Sequence, residues 1–108
     1  MITSHVLDTS MGKPAAGISA VLFSQANGQW AEIARAEANS DGRINEWLSE
    51  EPAAGVYKIR FDTKNYFEKN SIASFYPFVE IVFEIRANEH YHIPLLLSPF
   101  GYSTYRGS

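Results

Sequence analysis

Alternation with a period of two runs through most of this chain, and no other feature narrows its fold as far. A two-residue period places successive side chains on opposite faces of an extended strand, so one face can be buried while the other stays wet. Val79, Ile81, Phe83 and Ile85 alternate with Glu80, Glu84 and Arg86, while Tyr57, Ile59 and Phe61 alternate with Lys58, Arg60 and Asp62. Both patterns are those of half-buried antiparallel strands. Weaker alternation covers Ile18 to Ser24 and Trp30 to Ala36, and Asn27-Gly28, Asp41-Gly42, Ala54-Gly55 and Pro99-Phe-Gly101 punctuate the segments as turns. About eight strands are predicted: Ile2 to Asp8, Ile18 to Gln25, Gln29 to Ala36, Gly42 to Trp47, Gly55 to Asp62, Phe78 to Arg86, Glu89 to Leu97 and Tyr102 to Arg106. That number suits an all-β fold, a two-sheet antiparallel β-sandwich with Greek-key connections. Asp62 to Asn70 breaks the alternation and starts with a capping residue type, which predicts one short helix. Its aromatics, with Phe75, Tyr76 and Pro77, are expected to cover one end of the sandwich.

With 108 residues, 45% of them apolar, the chain makes a single domain over 1–108 with one modest core. The absence of cysteine rules out a disulfide framework, a thiolate nucleophile and zinc sites that need sulfur, and fits a reducing compartment. A net charge of -3 without any basic run argues against nucleic acid or a membrane surface as partner. No run is apolar enough for a membrane span, and the opening residues lack the pattern of a signal peptide, so the expected location is the cytoplasm.

Without cysteine, acid-base work near neutral pH falls to His5, His90 and His92. His90 and His92 lie two apart in a predicted strand and share a face that continues through Pro94 and Leu96; His5 shares its face with Thr3 and Leu7. None of these placements makes a core pattern. Read alone, each is either a solvated or structurally bonded histidine or a functional one. Arg43 follows Asp41-Gly42 at a strand start, where a side chain can be aimed at an adjoining site or left in water. The segment Tyr102 to Ser108 carries two tyrosines, unlike a frayed polar end, and is expected to be part of a site.

Ser4-His-Val-Leu-Asp8, followed by Gly12-Lys-Pro-Ala15, resembles the first signature of the transthyretin-like family, and His90 to Ser108 resembles its C-terminal signature; Asp41-Gly-Arg43 matches between them. The resemblance covers nearly the whole chain. It points to the branch of that family that hydrolyses 5-hydroxyisourate rather than to the hormone carriers, through His5, Arg43, His92 and the Tyr105-Arg-Gly-Ser108 ending. It implies a homotetramer with sites in the channel between two dimers. His5, Arg43, His92 and Ser108 would be catalytic, and Tyr105, Arg106, Gly107 and Ser108 would bind a small-molecule substrate, with neither metal nor cofactor. His90 would stand either behind the catalytic pair or at the surface, because the resemblance places the catalytic histidine at position 92. Strand parity agrees with a shared wall, because His5 and Leu7, then His92, Pro94 and Leu96, then Ser103 and Tyr105 each form one strand face, too wet for a core and too apolar for open solvent. Two alternatives stay open. A same-face His-x-His pair with a distant histidine is also a three-nitrogen zinc pattern, and the same channel in a carrier would hold a hydrophobic ligand.

Overall fold

Seven of the eight predicted strands form within a few residues of the positions the alternation assigns. In this computed structural model, which describes all 108 residues, the strands are β1 (Ile2–Asp8), β2 (Lys13–Pro14), β3 (Ser19–Ala26), β4 (Gln29–Glu37), β5 (Arg43–Ile44), β6 (Gly55–Phe61), β7 (Val79–Ile85), β8 (Tyr91–Ser98) and β9 (Gly101–Thr104). The helix α1 (Thr63–Lys69) lies between β6 and β7. No helix is long and apolar enough to cross a membrane.

The strands form two sheets. One runs β4-β3-β6-β7, antiparallel throughout. The other runs β2-β1-β8-β9, with β5 also paired to β1. Since β8 pairs along the whole of β1, from Ile2↔Tyr91 to Asp8↔Leu97, β2 and β5 must share the opposite edge of β1: β5 meets Ser4 and His5, and β2 meets Leu7 and Asp8.

Three details differ from the predicted pattern. The β1–β8 pair is parallel, which a strand can join only after a long connection; nearly the whole chain separates the two. The segment predicted as a strand from Gly42 to Trp47 keeps only Arg43–Ile44, because Ile44 already pairs with Ser4 and the start of β1 leaves little edge beyond it. The two-residue β2 is too short to show any alternation.

The inner faces of the sheets meet in a core that includes Val6, Leu22, Ile59, Phe61, Leu95 and Leu97, each no more than 1% exposed. Full burial of such a side chain stabilises by roughly 1.5–3 kcal/mol, so this face decides the register of every strand. A slip of one residue on β1 would exchange Val6 for His5. Asp8 also lies on the inner face, and its carboxylate accepts from Ser10 N, Ser10 Oγ, Met11 N and Tyr66 Oη. Burial pushes its pKa up, but these hydrogen bonds outweigh burial and hold it below the ordinary 3.8.

Helix α1 begins where Asp62 accepts a hydrogen bond from Asn65 N, as its capping residue type predicts. Tyr66 and Phe67 enter the core, and Tyr76 packs against it. Phe75 does not complete that cover: it is 70% exposed.

Candidate active site

The outer face of the β1 sheet assembles the candidate residues through register. Directly paired residues on neighbouring strands project to the same side. Arg43 pairs with His5, His5 with Pro94, Thr3 with His92, Leu7 with Leu96 and Leu96 with Ser103. Thr3, His5 and Leu7 therefore stand beside His92, Pro94 and Leu96, with Arg43 across β1.

Arg43 is placed by the turn before it. Asn39 Oδ1 accepts from Asp41 N at 2.9 Å and from Arg43 N at 3.0 Å. Gly42 has a φ of +74°, and a side chain there would collide with the Val6 carbonyl and the Pro14 ring. Only glycine lets this turn lie against β1 while Val6 N donates to the Gly42 carbonyl at 2.8 Å. The same turn orients His5, whose Nε2 lies 2.9 Å from the Asp41 carbonyl oxygen. A carbonyl only accepts, so Nε2 carries the proton and Nδ1 is the nitrogen left for other partners.

His92 is held from two sides. Its Nδ1 lies 2.7 Å from Thr3 Oγ1, and the same hydroxyl lies 2.7 Å from His90 Nε2. On the other flank the chain after β9 returns antiparallel to β8, and Gly107 N donates to the His92 carbonyl at 2.8 Å. A Cβ on Gly107 would stand 2.5 Å from His92 Cδ2, which the ring cannot evade while Thr3 holds it. Gly107→Ala is therefore expected to lift this segment off β8. Amide exchange at position 107 should quicken by roughly 10-fold, about the loss of one hydrogen bond; unchanged protection would show that the ring yields instead.

Arg43, His92 and Ser108 line one cleft of about 670 Å³, together with Thr3 and His90. His5 flanks it beside Arg43. Tyr105 and Arg106 do not line it. They line a neighbouring groove of about 450 Å³ against β7, and His92 touches both spaces. The Arg106 guanidinium donates to Glu89 Oε1 at 2.6 Å and lies 4.5 Å above the Tyr91 ring, so it clamps the terminal segment to the start of β8. Its pKa is raised, first by the Glu89 hydrogen bond.

The sequence reading missed Thr3, although parity already placed it on the His5 face. It left His90 either behind the catalytic pair or at the surface, and His90 stands behind His92, on the hydroxyl that holds that ring. The three histidines do not converge on one point, and no cluster of three His, Cys, Asp or Glu side chains is arranged to hold a metal ion. The pKa of His92 is lowered from 6.5, first by burial and then by the positive charges of His90, Arg43 and His5. A neutral imidazole beside a fixed cation in a polar cleft has the makings of general-base chemistry.

The HIUase/Transthyretin family model matches residues 2–107, and the chain belongs to that family. A probable 5-hydroxyisourate hydrolase of Caenorhabditis elegans is 44% identical, over 99% of this chain and 81% of its own. The 5-hydroxyisourate hydrolase of Mus musculus is 43% identical, over 99% and 94%. Among solved structures, Klebsiella pneumoniae 5-hydroxyisourate hydrolase superposes with a TM-score of 0.90 at 33% identity, covering 99% of this chain and 98% of that one. Sea bream transthyretin in complex with thyroxine gives 0.92, also at 33% identity, over 98% and 93%. Hydrolase and carrier thus share this fold equally, and the side chains of the site must separate them.

Proposed function

We propose that this protein hydrolyses 5-hydroxyisourate, opening its six-membered ring at an amide-type bond to give 2-oxo-4-hydroxy-4-carboxy-5-ureidoimidazoline. The observation that carries the reading is the convergence of His92, Arg43 and Ser108 on one cleft, with His5 at its edge. The relatives named as 5-hydroxyisourate hydrolases support it. A carrier of hydrophobic ligands would favour an apolar pocket, and this cleft is dominated by charged and polar side chains.

Water attacks the carbonyl, forming a C–O bond, and the C–N bond then breaks. His92, held neutral, takes the proton from water. His5, in its protonated form, donates from Nε2 to the Asp41 carbonyl and keeps Nδ1–H for the leaving nitrogen. Arg43 supplies the fixed charge for the developing oxyanion. Ser108 and the backbone around Gly107 hydrogen-bond the ring. Tyr105 narrows the channel, and Arg106 contributes to binding by anchoring the segment that carries Ser108.

The assembly we propose is a homotetramer with its sites in the channel between two dimers. Half-buried Leu7 and Leu96 on the site wall, and Tyr105, which is 59% exposed beside it, support an enclosed face. Light scattering should give four times the 12.1 kDa chain mass; a fully active monomer would remove the channel. A reducing, cytoplasmic setting belongs to the same reading and is supported by a chain without cysteine.

The test is turnover of freshly generated 5-hydroxyisourate with the spontaneous reaction subtracted. Enzymatic acceleration that persists in zinc-stripped protein is the expected result. No acceleration, together with tight binding of thyroxine, would favour the carrier. Activity that needs added zinc would favour the metal hydrolase.

A further inference from the structure

One hydroxyl lies between two imidazoles. Thr3 Oγ1 is 2.7 Å from both His90 Nε2 and His92 Nδ1, and residues 87 and 89 positions apart in the chain meet there. A hydroxyl has one proton to give, so between neutral imidazoles it donates to one ring and accepts from the other. Two arrangements satisfy this. In the first, His92 donates from Nδ1 to Thr3, Thr3 donates to His90 Nε2, and both rings carry their proton on Nδ1. In the second, both rings carry it on Nε2. The tautomers of His90 and His92 are therefore tied, and only the first arrangement leaves His92 Nε2 bare as a base.

We propose that Thr3 and His90 are positioning residues that hold His92 in its base tautomer and carry away the proton it takes from water. This rests on the hydrolase reading above. As His92 Nε2 accepts the proton of water, His92 Nδ1–H passes to Thr3 Oγ1 and the Thr3 proton passes to His90 Nε2. The new positive charge then stands on His90, and His92 is neutral again. After His5 has given its proton to the leaving nitrogen, the relay runs back, with His90 Nε2–H passing to Thr3 and the Thr3 proton to His92 Nδ1; His92 Nε2 then gives up the proton it took from water and His5 takes one up, which restores the starting tautomers.

The surroundings favour this direction of transfer. His90 is exposed, whereas His92 is half-buried and Thr3 is 5% exposed. A cation on His92 would face Arg43 from β5 and His5 from β1, and it loses water contact through burial. Glu46, Glu50 and Glu51, the acidic side chains that line the cleft, all lie on the segment after β5. Moving the charge to His90 places it in water, where it is solvated at little cost.

The test compares wild type with Thr3→Val and Thr3→Ser in the intact protein, using nitrogen-15 NMR of the histidine rings above pH 6.5 and steady-state kinetics. The near-isosteric Val removes only the hydroxyl and Ser restores it; thermal melting confirms folding. In wild type both His90 and His92 should carry the proton on Nδ1. In Thr3→Val the two tautomers should become independent, and kcat should fall roughly 10-fold with KM little changed, a modest part of what general-base catalysis supplies. Thr3→Ser should recover both. Opposite tautomers in wild type, Nε2–H on both rings, or equal kcat in the Val and Ser variants would each overturn the relay. Failure of wild type to hydrolyse 5-hydroxyisourate would instead overturn the proposed function, and the ring spectra, which need no substrate, would still decide the tautomer assignment.

Discussion

Replacing His92 or His5 by asparagine is expected to lower turnover by roughly 100-fold or more in each case, the range for lost general acid-base catalysis. Asparagine keeps a polar side chain of similar reach, so folding should survive. The decisive variant is the double one. A base that opens the attack and an acid that completes it act on one reaction coordinate, and residues that act as a unit are strongly non-additive. His5→Asn combined with His92→Asn should be little worse than the more damaging single change, and losses that multiply would show two independent contributions. His90→Asn should cost far less than His92→Asn, because His90 meets the reaction only through Thr3. The pH profile checks the same assignment. The pKa of His92 is lowered, so its neutral form persists below pH 6.5, and the acid limb of kcat/KM should fall below that value. The sign for stability is fixed by the same shift. Below pH 6.5 the unfolded chain binds more protons at this position than the folded one, so His92 contributes a loss of stability as pH falls. An acid limb above 6.5 would assign the base elsewhere.

Arg43→Lys keeps the positive charge and removes the planar two-pronged donor, and it is expected to cost on the order of 10-fold to 1000-fold in turnover. Arg43 is exposed and makes no ion pair, so its stability contribution is small and a loss of activity reports on chemistry. Its backbone is held by Asn39 and Gly42 independently of the side chain, so the lysine should stand at the same place. Kinetics equal to wild type, with unchanged thermal melting, would leave Arg43 as an ordinary turn residue and require another oxyanion donor.

Much of this molecule was present in its strand parity. Period-two alternation gave Ile59, Phe61, Ile81 and Ile85 the apolar faces of their strands and gave His5 and His92 faces without a core pattern, and the buried core is where those apolar residues lie. Asp62 announced the helix, and Asp41-Gly42 announced the turn that delivers Arg43. Such features are local, because a side chain's face, a cap and a turn depend on the few residues around them. Period two says which way a side chain points and nothing about which strand lies beside it. The parallel pairing of β1 with β8 therefore belonged to the tertiary structure, and with it the meeting of Thr3 with His90 and His92. The terminal segment shows the same boundary. Its composition marked Tyr102 to Ser108 as belonging to a site, but its course along β8 turns Ser108 into one cleft and Tyr105 and Arg106 into the next. That division follows from a close approach only Gly107 permits, against a ring that lies fifteen residues earlier in the chain and is brought beside it by the sheet.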